Sequence, residues 1–254
     1  VTRKKKEEIL PKKIKEKFSE ERLGEITSKP LLAMNELQKK YIDLIAEKSV
    51  VLATGFAGTS KSYIPACIAA DSYRLGKIKK IYLTRPPIST SKGHGFYAGS
   101  VNEKMEVWLS GIIPVLRERL GSANYEIALS KGDIILLPLE VIKGLSLNDS
   151  FFICEESSDL TKDEVIKLVS RLGKNSTMIL AGDILQSELK ETSGLLWLTK
   201  HVLKHENLSK HFGWVDFNKA SHIVRSAVVK EFILSLGATE EKSINKDDKG
   251  ENAV

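Results

Sequence analysis

Lys61 and Ser62 close a short glycine-bearing loop, Gly55-Phe56-Ala57-Gly58-Thr59-Ser60, and an amine next to a hydroxyl at that point is chemistry for a polyphosphate. The backbone N–H groups of such a loop wrap the phosphates and the following helix aims its positive N-terminus at them. Lys61 adds a point charge, and the Ser62 hydroxyl suits Mg²⁺. The usual pattern, G-x-x-x-x-G-K-[ST], has glycine where this chain has Ser60. If that position needs a positive φ, serine costs about 1–2 kcal/mol there. The plain alternative is a glycine-rich turn with a chance lysine.

Two further clusters follow apolar runs. SFFICEESS ends in Glu155-Glu156, and paired carboxylates at a strand end can divide the work: one holds a metal through water, the other orients or deprotonates an attacking water. STMILAGDILQSELK places Asp183 and Gln186 after the next run, where a glutamine amide can sense a γ-phosphate or its attacking water. Among the arginines, Arg85, Arg171 and Arg225 are candidates for a phosphate contact, one of them acting as a finger within the chain or from a neighbour; the sequence does not choose. His201 and His205 lie four apart, but metal sites need three or four convergent ligands, so a solvated helix end is the expectation. Tyr41, Phe96, Tyr97 and Trp108 are candidates for base stacking, with core packing the expected role for at least two of them.

Chemistry of this kind needs strands that end where the loops begin. SVVLAT (49–54), KKIYLTR (79–85), DIILLP (133–138), SFFICEE (150–156), STMILAGD (176–183) and GWVDFN (213–218) are near-continuous apolar runs, the pattern of strands buried on both faces. Helix candidates fall between them at 61–76, 102–120, 161–172, 194–205 and 221–236, the third opening with Thr161 and Glu164 at capping-box spacing. The alternation predicts an α/β fold, an open, mostly parallel sheet flanked by helices, with ligands at the carboxyl ends of the strands. The 254 residues allow one large domain or two small ones, and the 42% hydrophobic content makes wholesale disorder a poor reading. Residues 31–238 are read as the domain, 1–30 as a charged arm with ten basic and six acidic residues, and 239–254 as a disordered tail.

The net charge of +6 is modest for a chain that is 28% charged, and it leaves nucleic-acid binding open. No run is long and apolar enough for a bilayer helix and the first residues lack a secretory pattern, so a soluble, cytoplasmic protein with no membrane partner is expected. Cys67 and Cys154 both sit in apolar runs, where core burial is expected rather than a disulfide or a zinc site.

Taken in order, these motifs resemble the PhoH-like branch of P-loop ATPases, which is similar to the motor core of superfamily-one helicases, and in its short form the chain resembles phage-encoded members. The resemblance runs from about Asn35 to Leu236. It includes LTRPP (83–87) with GHGFYAGSVNEKMEVWLSGIIPVL (93–116), IKGLSLNDSFFICEE, LAGDILQSEL and IVRSAVVKEFI. It implies a RecA-like P-loop NTPase core and ATP with Mg²⁺ as cofactors, with Gln38 reading the adenine. Gly55 to Ser62 would hold the phosphates, Ser62 and Glu155 the metal, and Lys61, Glu156, Gln186, Arg225 and Arg171 would carry the catalytic roles. Ser60, Glu155, Ser157-Ser158, Lys143 and Ser226-Ala227 depart from the family pattern, and the lost glutamine at 158 removes a polar group that relatives use near phosphate or nucleic acid. Because Lys61, Ser62, Glu156 and Gln186 are all retained, Ser60 is expected to be tolerated, through a negative φ or a phosphate contact.

Two functions follow from the resemblance. One is a Mg²⁺-dependent ATPase acting on or with single-stranded RNA or DNA; having a single motor core, it would work as a homo-oligomer, a hexameric ring being one form. The other is a slowly hydrolysing sensor or assembly module that acts through a protein partner. Host cytoplasm would be the location for a phage-encoded chain.

Overall fold

Six apolar runs become the strands of one sheet in the computed structural model, which describes residues 29–87 and 101–235. The expected arm and tail fall outside these residues apart from Lys29 and Pro30, as do Phe96 and Tyr97. The strands are β1 (Val50–Gly55), β2 (Lys80–Thr84), β3 (Ile134–Leu136), β4 (Ser150–Cys154), β5 (Thr177–Gly182) and β6 (Phe212–Phe217). All pair in parallel, in the order β3-β2-β4-β5-β1-β6.

Side chains alternate across each strand, so one run supplies two cores. Val51, Ala53, Ile81, Leu83, Phe151, Ile153, Ile179 and Ala181 face one side. There they meet α1 (Glu36–Glu47), α2 (Tyr63–Arg74), α3 (Val101–Trp108), α4 (Ile113–Leu120) and α5 (Ser122–Lys131). Val50, Leu52, Phe152, Cys154, Met178 and Leu180 face the other, against α6 (Lys162–Val169) and α7 (Gly194–Lys204). Both cysteines are free and buried. Among the described residues no helix is long and apolar enough to cross a membrane.

The expected helix at 102–120 is two helices. It breaks around Ser110 and Gly111, where Pro114 starts the second helix and cannot donate a backbone bond. The box at Thr161 forms as expected: its hydroxyl accepts from the Glu164 amide, and the Glu164 carboxylate accepts from the Thr161 amide at 2.8 Å. The expected segment at 221–236 is a 3₁₀ turn, Ala220–His222, followed by helix over 227–235.

The strand order does the positioning. β4, β5 and β1 are consecutive neighbours, so Glu155-Glu156, Asp183 and the loop after Gly55 emerge side by side at one edge. The chain reaches that edge from β6 as well, and residues 223–225 return across it.

Candidate functional site

The loop after β1 is shaped by three residues with left-handed backbone: Gly55 (φ 110°), Gly58 (φ 74°) and Ser60 (φ 73°). Gly55 runs so close to β6 that a Cβ there would lie 2.5 Å from the Phe217 carbonyl carbon, and the next amide, Phe56, donates to the Phe217 carbonyl at 3.0 Å. Ser60 corrects one expectation. Its φ is positive, so serine occupies the conformation that favours glycine and carries the strain.

Lys61 turns back into the loop, donating to the carbonyls of Gly55 and Phe56 at 2.6 Å each. Burial lowers its pKa, and the nearby charges of Asp183, Glu156 and Asp216 oppose that shift. Ser62 is the N-cap of α2 but does not cap it with its hydroxyl; the hydroxyl bonds the Glu155 carboxylate instead. Burial raises the Glu155 pKa, Ser62 and Arg85 hold it down, and Glu156 pushes it up. Glu156 has φ 48°, a strained geometry for a glutamate at a strand end.

Asp183 is buried, and burial raises its pKa against the pull of Lys61 and of the Leu185 and Gln186 amides. One of its oxygens accepts from Leu185 N at 3.1 Å; the other, Oδ2, has no hydrogen-bond partner among the described residues. The sequence reading places Asp183 beside Gln186 without giving it a role, and its signal was the same strand-end position as that of Glu155.

These groups share one cavity of about 560 Å³. Residues 57–62, Gly111, Glu155, Glu156, Asp183, Gln186 and Arg225 line it. Arg225 enters because Val224 N donates to the Gly58 carbonyl at 3.0 Å, which lays the Arg225 side chain over Gly58. Gly111 was not foreseen: a Cβ there would come 3.4 Å from Glu155 Oε1, so the break between α3 and α4 lets the chain approach the carboxylate.

Two assigned residues, Gln38 and Arg171, lie elsewhere. Gln38 is buried under the loop, accepting from Met34 N at 2.8 Å and donating to the Thr59 carbonyl at 3.3 Å, and it is not part of the cavity lining. Arg171 is at the opposite end of the sheet: its carbonyl accepts from Leu147 N, ahead of β4, because α6 runs back from the site. A role for Arg171 at this chain's own phosphates is excluded by that placement. Position 158 also faces away, since Ser158 packs under Gly182 and its carbonyl accepts from Ser187 and Ser193 hydroxyls at 2.8 and 2.6 Å. Tyr41 is fully buried and its hydroxyl donates to the Lys61 carbonyl at 2.9 Å, so it supports the loop and cannot stack on a base. His201 stacks on Trp197 and meets the His205 ring at a tilt, rather than the two histidines converging on a point.

The donor set fits Mg²⁺. It combines a serine hydroxyl paired with a carboxylate and a buried carboxylate oxygen that lacks a partner among the described residues, all oxygen ligands suited to a hard cation.

Comparison with known proteins agrees with this geometry. The PhoH family, described as PhoH-like protein, matches residues 30–236, most of the chain. The chain belongs to the PhoH-like family. It is 31% identical over 203 residues to Protein PhoH of Escherichia coli (strain K12), covering 78% of this chain and 56% of that one. The PhoH-like protein of Bacillus subtilis (strain 168) is 32% identical over 168 residues, covering 66% and 53%. The chain spans about half the length of these relatives. The parallel sheet with its loop after β1 is the RecA-like P-loop core that this PhoH-like chain was expected to have.

Proposed function

We propose that this PhoH-like chain binds ATP with Mg²⁺ in the cavity at the ends of β1, β4 and β5 and hydrolyses the γ-phosphate. The observation that carries the reading is the convergence of Lys61, Ser62, Glu155, Glu156, Gln186 and Arg225 on one cavity from four separate segments. On binding, Lys61 exchanges the Gly55 and Phe56 carbonyls for phosphate oxygens, and the loop amides with the N-terminus of α2 take the remaining charge. Ser62, with Glu155 behind it, would hold Mg²⁺, whose chemistry is to screen the phosphate charge. Glu156 orients and deprotonates the attacking water, and Gln186 faces the same space. Arg225, lying over Gly58, supplies the cation for the transferring phosphoryl group.

Hydrolysis is proposed to act on or with single-stranded RNA or DNA, in a homo-oligomer. One observation favours the slower sensor as a second reading: the strain at Ser60 falls on the loop that must order around phosphate.

The test is calorimetry of ATP binding with Lys61→Ala. Loss of binding is expected, and equal affinity would remove the site assignment. Glu156→Gln should keep ATP bound while single-turnover hydrolysis stops, and Glu155→Gln should mainly raise the magnesium requirement.

A further inference from the structure

A second, smaller hollow of about 170 Å³ opens at the carboxyl ends of β2 and β3. Arg85, Lys104, Met105, Trp108, Pro138 and Glu140 are among its walls. It is below the roughly 300–1,000 Å³ of pockets that enclose drug-sized ligands, so it suits a single planar group. Met105, Trp108, which also packs against the core on that face of the sheet, and Pro138 make the interior apolar, and Arg85 and Lys104 outnumber Glu140 in charge. An apolar slot edged by cations is the complement of one nucleotide unit, with the base inside and the phosphate outside.

The hollow is joined to the ATP site by its own walls. Arg85 Nη1 donates to the Trp108 carbonyl at 3.1 Å, and the Arg85 charge also acts on Glu155. Trp108 is three residues before Gly111, which lies against the Glu155 carboxylate. We propose that this hollow takes one base of a single-stranded nucleic acid against Trp108, and that its occupation reaches Glu155 through Arg85 and the turn between Trp108 and Gly111. The second half rests on the ATPase reading; the first does not.

The test uses fluorescein-labelled oligo(U) and oligo(dT) of about ten nucleotides, an equal-length duplex and poly-glutamate, all without ATP. Anisotropy should show both single strands binding more tightly than the duplex. Trp108→Ala should weaken that binding about tenfold while Trp108→Phe retains it, and Lys104→Glu should weaken it without touching the apolar wall. A preference for oligo(U) or for oligo(dT) supports the site and identifies the sugar it reads. The site is overturned if neither strand binds at about 100 µM, if poly-glutamate binds instead, or if Trp108→Ala and Lys104→Glu bind as the unaltered chain does.

Thermal melts check that each variant folds, and Lys104→Glu carries the test if Trp108→Ala does not. Strand-stimulated ATP hydrolysis should be lost in Trp108→Ala with basal hydrolysis kept; undiminished stimulation overturns the link to Glu155. If the chain proves not to bind ATP, strand binding remains measurable, so the two failures are distinguishable.

Discussion

Ser60 holds φ 73° with a side chain that pays about 1–2 kcal/mol for it. Ser60→Gly relieves about 1 kcal/mol wherever the loop keeps this shape, so ATP affinity by calorimetry should tighten several-fold. Unchanged or weaker affinity would mean that the hydroxyl returns the strain by touching phosphate. Glu155 poses the opposite problem, a carboxylate whose burial raises its pKa. Its charge therefore penalises the folded state once pH rises past the folded pKa, and the penalty is absent below the ordinary glutamate value of about 4.3. Glu155→Gln should raise the melting temperature of the nucleotide-free chain by about 2–4 °C near neutral pH, with the gain fading as pH falls to about 4. A gain that persists in acid would place its origin in packing rather than charge.

At the scale of elements, an ion pair with its arginine buried and its carboxylate half-buried joins α4 to α2. Arg119, 7% exposed, places Nε 3.2 Å and Nη2 2.5 Å from the Asp71 carboxylate, while Nη1 donates to the Lys29 carbonyl at 3.1 Å. Arg119→Ala leaves that carboxylate, 27% exposed, with only the Arg74 guanidinium at 3.6 Å, and should cost about 1–3 kcal/mol in a denaturant titration. A loss below about 1 kcal/mol would show that water replaces the guanidinium.

The same scale explains what could be read in advance. All six strands were legible because a strand buried on both faces leaves an unbroken apolar run. α1 was not recognised as a helix, although Asn35 caps it and Tyr41, Ile42 and Ile45 form its buried stripe; the run is short and rich in charge. α5 buries only Tyr125 and Ala128, too little for a periodic signal. In the cavity, Lys61, Ser62, Glu155, Glu156 and Gln186 were legible because each follows a strand end in sequence. Gly111 against Glu155, Arg225 over Gly58 and Gln38 beneath Thr59 join segments far apart in the chain, and no local spacing encodes such contacts.

At the scale of the whole molecule, two of the three candidate arginines, Arg225 and Arg171, are separated by the length of the sheet. Arg225 lines the chain's own cavity, whereas Arg171 could meet phosphate only in another copy. The segment 227–235, which follows Arg225, carries Val228 and Phe232 at 76% and 62% exposure, an apolar face that a homo-oligomer would cover. If the chain assembles through it, Phe232→Glu should shift sedimentation toward the monomer while ATP affinity is unchanged. Mixing separates the arginines. Arg225→Ala should slow hydrolysis at least about tenfold in every assembly, because its target lies in the same chain, and Arg171→Ala should leave it unchanged. If Arg171→Ala is slow, mixing it with Lys61→Ala subunits decides the matter: the second variant contributes an intact Arg171 and no working site, so recovered turnover in the mixture would assign the finger to Arg171 of a neighbouring copy. With Arg225 as the finger, the mixture should show no more activity than its Arg171→Ala fraction alone.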